Sequence, residues 1–165
     1  MSRASEKQLD AALDAELKSN PGFADWFVSR TKFAGLGATY LWSRSNHPWG
    51  SVAHATVDEA TGQTVTSIKE SETDVLVVFE TPDGMRFALH IENKTAAGSF
   101  EPLQPELYAP RARQWMGNPK YRSYTDYETV LVAPKVFYAR NEAACGFFDR
   151  YVSHEEIGLF IPLFA

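Results

Sequence analysis

Residues 74–94 read DVLVVFETPDGMRFALHIENK, in which two strand-like apolar segments flank a Thr-Pro-Asp-Gly sequence. Proline, aspartate and glycine at the second, third and fourth positions favour a type I turn followed by a left-handed glycine. This three-residue loop pairs Phe79 with Phe87. A two-residue loop would pair Phe79 with Arg86, because a slip of one residue mixes the two faces of a strand. The side-chain pattern therefore predicts an antiparallel hairpin in the first register.

The same register brings charged side chains together at the open end of the hairpin. It sets Asp74 directly across from Glu92, with Cβ atoms about 5 Å apart, and places Lys94 on the same face. Two carboxylates in opposed positions repel each other, and a cation between them removes that repulsion. The hairpin therefore predicts a metal site.

The composition restricts the class of protein. A chain of 165 residues, 44% of them hydrophobic, is long enough for one globular domain with a core, and we expect a single domain over residues 1–165. We expect no membrane span, because no run reaches the roughly 18 apolar residues that one needs, and the polar N-terminus does not resemble a signal peptide. The single cysteine, Cys145, fits a reducing cytoplasm and is more typical of a packed thiol than of a nucleophile. A net charge of −5 argues against nonspecific coating of nucleic acid and is compatible with a metal-dependent enzyme.

Capping and turn signals place the other elements. Ser5 and Gln8 have capping-box spacing, and Asn20-Pro21 is typical of an N-cap followed by the first helical residue. We predict three helices, which begin near Glu6, at Pro21 and near Pro105, and the third runs toward Gln114 with a kink at Pro110. We predict strands over residues 38–43 and 127–133 and an edge strand over 148–152. The stretch before the hairpin, up to Lys69, should form loops with one or two short strands. The predicted fold class is α/β (mixed α+β): a central mixed sheet of four to five strands flanked by helices, in the order α, α, β, β, β, α, β.

The first helix carries an acidic residue within its apolar stripe. Leu9, Leu13 and Leu17 share one face, and Glu16 occupies a position where another apolar residue would continue the pattern. Burying a carboxylate without a partner is unfavourable. Glu16 therefore either contributes to the metal site, lies at the edge of the stripe, or pairs with an arginine.

A basic and aromatic segment follows the third predicted helix. Between residues 111 and 122 the chain has four basic residues and no acidic one: Arg111, Arg113, Lys120 and Arg122. Trp115 and Tyr121 are interleaved with them. Such a pattern suits binding of a phosphate backbone with stacking of bases, although the segment taken alone favours a solvated helix face.

The histidines do not indicate a zinc site. His47, His54 and His154 show no zinc-type spacing with each other or with Cys145. His90 shares the face of Glu92, and we interpret it as a packed neighbour rather than a ligand.

Asp74 followed by Glu92-Asn93-Lys94 resembles the PD-(D/E)XK nuclease superfamily. The resemblance spans residues 6–156, over which the chain is similar to one bacterial branch of that superfamily. It includes Glu16-Leu17 before Pro21-Gly-Phe23, Glu72-Thr73-Asp74, Gln104 followed by Tyr108, and a Val-Leu-Val-Ala-Pro sequence that ends at Pro134. The stretch over residues 51–69 is longer than such proteins usually need.

The resemblance implies a restriction-endonuclease-like core and a Mg²⁺ ion for which Mn²⁺ substitutes. Asp74, Glu92 and the backbone carbonyl of Asn93 would be metal ligands, and Glu16 would reach the ions through water or complete a second metal site. Lys94 would orient the attacking water or stabilise the charged transition state. Gln104 and Tyr108 resemble accessory positions that orient Lys94 or contact the scissile phosphate.

These observations lead to three hypotheses of different classes. The first is a Mg²⁺- or Mn²⁺-dependent nuclease, acting on DNA more than on RNA, with a homodimer possible. The second is a catalytically inactive module of the same fold that binds nucleic acid or a protein partner. The third is a small α+β scaffold with a chance motif, which predicts that the carboxylates of Asp74 and Glu92 lie more than ~7 Å apart.

Overall fold

The computed structural model describes residues 3–46 and 48–165, so His47 lies outside the described part of the chain. The helices are α1 (Glu6–Ser19), α2 (Pro21–Ser29), α3 (Gln104–Gln114), α4 (Lys135–Arg140), α5 (Glu142–Cys145) and α6 (His154–Ile157). The strands are β1 (Thr39–Arg44), β2 (Trp49–Val57), β3 (Thr64–Glu72), β4 (Val75–Glu80), β5 (Arg86–Asn93), β6 (Asp126–Ala133) and β7 (Arg150–Ser153). Within the described ranges, none of the helices is both long enough and apolar enough to cross a membrane.

A five-stranded mixed sheet in the order β1-β4-β5-β6-β7 forms the centre of the fold. Strands β1, β4 and β5 are antiparallel, whereas β6 and β7 run parallel to β5. Helices flank the sheet, so the predicted α/β class with a central mixed sheet is confirmed. The capping boxes at Ser5 and Ser153 begin α1 and α6, and the Asn20 side chain caps α2. The elements therefore start where the local sequence predicts.

The register of the β4–β5 hairpin is the predicted one. Val75 lies opposite Ile91 and Phe79 lies opposite Phe87. At the turn, Gly84 has a φ angle of 87°. Because the turn sets this register, Val75, Phe79, Phe87 and Ile91 lie together on one face of the hairpin.

Gly84→Ala is expected to destabilise the protein by roughly 1 kcal/mol, because a left-handed backbone is strained for a residue with a Cβ atom. Strain alone is the cause, since an added Cβ at Gly84 would meet no atom within 4 Å. Gly22→Ala in α2 is the matched control. There the nearest atom, Asn20 Oδ1, lies at 3.4 Å, and alanine should be neutral or stabilising by about 0.5 kcal/mol. Urea unfolding of both variants measures the difference, and equal midpoints would contradict the assigned turn.

The sheet has a core layer on each face. Helices α1, α2 and α6 cover one face, where Phe87 stacks on Phe33 with ring centroids 3.9 Å apart and packs against Phe79. Helix α3 covers the other face, where Tyr108 and Trp115 are buried. Glu92 belongs to this second face, so α3 is the element that approaches the acidic end of the hairpin.

The region before β4 differs from the sequence prediction. Instead of loops with one or two short strands, it forms a regular hairpin of two nine-residue strands, β2 and β3. Contacts with α3 hold it in place: the Gln114 amide bonds both the N–H and the C=O of Ala53, and Gly50 lies against the Trp115 ring. The prediction was wrong because most side chains of this hairpin are exposed and show no apolar alternation, whereas the stabilising contacts are distant in sequence.

Candidate metal centre

The open end of the β4–β5 hairpin gathers the predicted acidic residues. Asp74 immediately precedes β4, Glu92 lies one residue before the end of β5, and both side chains are buried. Asp74 Oδ2 accepts a hydrogen bond from the backbone N–H of Asn93 at 2.9 Å. Lys94 is also buried, and its Nζ lies 3.1 Å from Glu92 Oε1. The sequence motif is therefore a spatial cluster.

Helix α3 adds two side chains that converge on the same carboxylate. Gln104 Nε2 donates to Glu92 Oε1 at 2.7 Å, and the Tyr108 hydroxyl donates to Glu92 Oε2. The backbone N–H of Asp74 donates to the Tyr108 oxygen at 3.2 Å. Gln104 and Tyr108 are four residues apart, so they lie on one face of the helix. One phenol thus contacts the side chain of Glu92 and the backbone of Asp74, so α3 reaches both strands at the open end of the hairpin.

The hydrogen bonds of Glu92 leave part of its capacity open. A carboxylate has about four acceptor positions. Lys94 and Gln104 occupy Oε1 and Tyr108 occupies one position on Oε2, so, among the described residues, one lone pair of Oε2 has no donor from the chain. The three donors also fix the plane of the carboxylate.

Burial and the charges of neighbouring acidic residues raise the pKa values of both acids. Burial, followed by the charge of Asp74, raises the pKa of Glu92 to about 8. Burial, followed by the charge of Asp10, raises the pKa of Asp74 to about 7. A bound cation would stabilise the ionised forms and oppose both effects. The electrostatics of the site therefore favour a positively charged ligand.

Lys94 retains its charge in this environment. Burial by itself lowers the pKa of Lys94, but the carboxylates of Glu92 and Glu6 outweigh burial and leave the pKa above its usual value. The side chain is consequently an ammonium at neutral pH. It can donate hydrogen bonds and stabilise negative charge, and it cannot accept a proton from water.

The acidic residues that α1 brings to the site are Asp10 and Glu6, not Glu16. Asp10 is fully buried and accepts a hydrogen bond from Asn93 Nδ2 at 3.0 Å, and Glu6 Oε1 accepts from the backbone N–H of Thr95 at 3.3 Å. Glu16 Oε1 accepts instead from Asn20 Nδ2 within its own helix and is half-buried. Glu16 also lies six residues, or about 9 Å, along the helix from Asp10.

A sequence signal for this pair existed. Glu6 and Asp10 are four residues apart and therefore share a helix face, and Asp10 adjoins Leu9 in the buried stripe. The helix dipole favours a carboxylate in the first turn, so the position of Glu6 can be explained without any contact to the acidic hairpin. For that reason the sequence did not single out Glu6 and Asp10 as a pair. The hypothesis that Glu16 supplies the helical carboxylate is corrected accordingly.

Asn93 points to the opposite face of the sheet from Glu92, as its position in the motif predicts. In addition to its bond with Asp10, its Oδ1 lies 2.9 Å from His154 Nε2. This side chain therefore links α1, β5 and α6 directly behind the acidic pair. The role of its backbone carbonyl as a metal ligand stays a prediction.

The basic segment is not one continuous surface. Arg111 is fully buried and cannot contact a phosphate backbone, so its assignment as a nucleic-acid-binding residue is wrong. Arg113, Lys120 and Arg122 are exposed. The carbonyl of Arg122 accepts from Arg86 Nη1 at 2.9 Å, and Arg86 lies six residues before Glu92 on β5, about 20 Å along the strand. Arg111 differs because its position on α3 faces the sheet.

His90 is a buried hydrogen-bonded residue, in agreement with the interpretation as a packed neighbour. Its Nδ1 lies 2.9 Å from Thr73 Oγ1 and its Nε2 lies 2.9 Å from the Tyr124 hydroxyl. Burial, followed by the charge of Arg111, holds the pKa of His90 well below its usual range. Both ring nitrogens are therefore engaged by a neutral imidazole.

The donor set fits a hard divalent cation better than zinc. Among residues 3–46 and 48–165, no group of three or more His, Cys, Asp or Glu side chains is arranged to hold a metal ion. A structural zinc site needs such a set, usually with nitrogen or sulfur ligands. Mg²⁺ is commonly held by one or two carboxylates and keeps several of its water ligands. Asp74 and Glu92 meet that smaller requirement.

Comparisons with family models, with curated proteins and with solved structures found no match to this chain. The assignment of a function therefore rests on the geometry of the site and on the resemblance of its motifs.

Proposed function

We propose that this chain is a divalent-metal-dependent nuclease of the PD-(D/E)XK type that hydrolyses phosphodiester bonds, DNA more than RNA. One observation carries the proposal. Two carboxylates, Asp74 and Glu92, are buried close enough for the charge of Asp74 to act on Glu92, and the Lys94 ammonium lies 3.1 Å from Glu92 Oε1. The preference for DNA derives from the resemblance.

Each residue of the cluster has a chemical role in this reaction. When bound, Mg²⁺ or Mn²⁺ supplies a Lewis acid that neutralises the phosphate and lowers the pKa of water. Asp74 and the Oε2 atom of Glu92 would hold the cation. Because Lys94 is protonated, it orients the attacking water by donating to it, or stabilises the negative charge that develops on the phosphate.

The donors from α3 hold Glu92 in one orientation. Gln104 and Tyr108 bond different oxygens of its carboxylate, which prevents rotation about the terminal bond. Such outer contacts commonly set metal affinity and activity. The resemblance suggests contact with Lys94 or with the phosphate, whereas in the structure both side chains bond Glu92. Arg113, Lys120 and Arg122 are the exposed cations available to a polyanionic substrate.

Lys94→Ala is the variant that tests the proposal, because it separates catalysis from metal binding. We expect metal-dependent cleavage to fall about 10²–10³-fold, the usual effect of removing one charge-stabilising donor. Titration calorimetry should still detect Mn²⁺ binding, since both carboxylates remain. Lys69→Ala, at an exposed position of β3, is the control and should keep full activity. Equal cleavage by Lys94→Ala and the control would contradict the role given to Lys94.

A second candidate is an inactive module that binds nucleic acid or a protein partner. The observation that favours it is that three donors of the chain already satisfy most of the Glu92 carboxylate. Calorimetry distinguishes the two functions. If the protein is an inert module, titration with Mn²⁺ should give the same heat for the wild type and for Asp74→Asn. Such a module should also leave single- and double-stranded DNA and RNA uncleaved in the presence of Mn²⁺.

A further inference from the structure

Arg111 is a buried cation with unusual surroundings. It is 0% exposed, and among residues 3–46 and 48–165 no carboxylate forms an ion pair with it. Its Nε donates to Thr73 Oγ1 at 2.9 Å, and its Nη1 donates to the Ser71 hydroxyl. A buried charge without an ionic partner is strongly unfavourable unless its surroundings compensate it. Burial lowers the pKa of Arg111, and the interactions with Tyr108, Glu92 and Asp74 oppose that effect only in part.

The guanidinium also fixes an aromatic ring of the site. Its central carbon lies 4.2 Å from the centroid of the Tyr108 ring, a stacking geometry that a lysine cannot reproduce. Tyr108 is the residue that contacts both Glu92 and the backbone of Asp74. Arg111 therefore lies over the ring of Tyr108, whereas the acidic residues contact its hydroxyl group.

A chain of hydrogen bonds anchors Arg111, and its direction follows from its two ends. Arginine can only donate, so the oxygen of Thr73 accepts, and the Thr73 hydroxyl proton is left for His90 Nδ1. At the other end, the Tyr124 hydroxyl donates to the carbonyl of Ala112 at 2.6 Å, so it accepts from His90 Nε2–H. Both ends require the same tautomer of His90. The Thr73 oxygen is thus always available to hold the guanidinium.

We propose that Arg111 is a positioning residue of the acidic site, which acts through Tyr108 to hold Glu92 and the start of β4 in place. The anchor is the sequence of contacts from Thr73 through His90 to Tyr124. This inference deepens the proposed nuclease function and, for its kinetic consequences, rests on it. It replaces the phosphate-binding role that the sequence suggested for Arg111.

Kinetics distinguish positioning from phosphate binding. Arg111→Lys keeps the charge but loses the planar stack, and Arg111→Met loses both. Each should lower kcat about 10–100-fold, as loss of an outer contact does, with KM and its salt dependence little changed. Arg113→Met, two residues further along α3 and exposed, should instead raise KM and weaken the salt dependence. If the Arg111 variants behave like Arg113→Met, the positioning role is refuted.

Two substitutions at Thr73 test the anchor without changing Arg111. Thr73→Val removes the anchoring hydroxyl with little change of shape and should reproduce the loss of kcat. Thr73→Ser keeps the hydroxyl and should retain the activity of the wild type. If Thr73→Val and Thr73→Ser have equal kcat, the anchor has no functional consequence and the inference fails, whether or not the Arg111 variants fold.

A spectroscopic signal tests the inference without any activity. The Tyr108 hydroxyl proton, bonded to Glu92, should give a slowly exchanging downfield proton resonance in the wild type, and Tyr108→Phe should remove it. The signal should exchange faster or disappear in Arg111→Lys and Thr73→Val and should persist in Thr73→Ser. This pattern in a protein that cleaves nothing would refute the nuclease proposal and support the positioning role. An unchanged signal in both variants would refute positioning whatever the activity.

Discussion

Glu92→Gln is expected to abolish metal-dependent cleavage, with a decrease in kcat of about 10³-fold or more, because the cation loses a charged ligand. The amide also introduces a donor where Lys94, Gln104 and Tyr108 already present donors to the carboxylate. One of these contacts must break or the Tyr108 hydroxyl must reverse its hydrogen bond, so the contacts of the side chain change together with its charge. Cleavage of labelled single- and double-stranded DNA and RNA with Mn²⁺ measures the effect.

The control for Glu92→Gln is Glu80→Gln on the same hairpin. Glu80 forms an ion pair with Arg86 at the far end of the two strands, where the side chains are partly exposed. A surface pair contributes at most about 1 kcal/mol, so this variant should fold and cleave like the wild type. Circular dichroism should show both variants folded. Full activity of Glu92→Gln would remove the basis of the proposed mechanism.

In the absence of metal, the contribution of Asp74 and Glu92 to the free energy of unfolding is expected to fall as the pH rises from about 4 to about 8. The pKa values of Asp74 and Glu92 are about 7 and about 8 in the folded chain, above those of exposed carboxyl groups. The folded state therefore binds protons that the unfolded chain has released. Each unit by which folding raises a pKa lowers the free energy of unfolding by about 1.4 kcal/mol once both states are ionised.

Asp74→Asn should reverse this loss. We expect the metal-free variant to have a higher Tm than the wild type at pH 9, and a similar Tm at pH 5, where Asp74 is protonated in the folded wild type. Mn²⁺ should stabilise the wild type at pH 9 and have little effect on the variant. Asp25→Asn, at an exposed position of α2, is the control and should follow the wild type.

Differential scanning calorimetry of the wild type and of Asp74→Asn, at pH 5 and at pH 9, with a chelator or with Mn²⁺, measures these Tm values. A variant less stable than the wild type at pH 9 without metal would show that Asp74 is held by favourable contacts and does not suffer net repulsion. Such a result would remove the electrostatic argument for a cation, although it would leave the geometry of the cluster unchanged.

The elements that the sequence predicted well depend on contacts between near neighbours. The turn at Pro82-Asp83-Gly84 sets the register, and the register sets Asp74 against Glu92. Likewise, capping residues such as Ser5 act within one helical turn. Residues four apart on a helix share a face, which placed Gln104 and Tyr108 together before their partner was known.

The failures concern contacts that are distant in sequence. An apolar stripe shows which face of α1 is buried but not which end of the helix meets the acidic hairpin, so the stripe indicated Glu16, whereas Asp10 and Glu6 are the acids near Asn93 and Thr95. Charge alone suggested that Arg111 is exposed, because Asp74 and Glu92, whose charges act on Arg111, come from other segments of the chain.

The sequence by itself determined the acidic hairpin, its register and the pairing of Asp74 with Glu92, because a tight turn and a period of two leave one arrangement that buries the apolar face. Only the tertiary structure decided that Asp10 and Glu6 lie against Asn93 and Thr95, that Arg111 is buried against the Tyr108 ring, and that β2 and β3 form a regular hairpin against α3. In each of these cases the free energy that fixes a side chain comes from packing between elements, and no local pattern encodes how those elements meet.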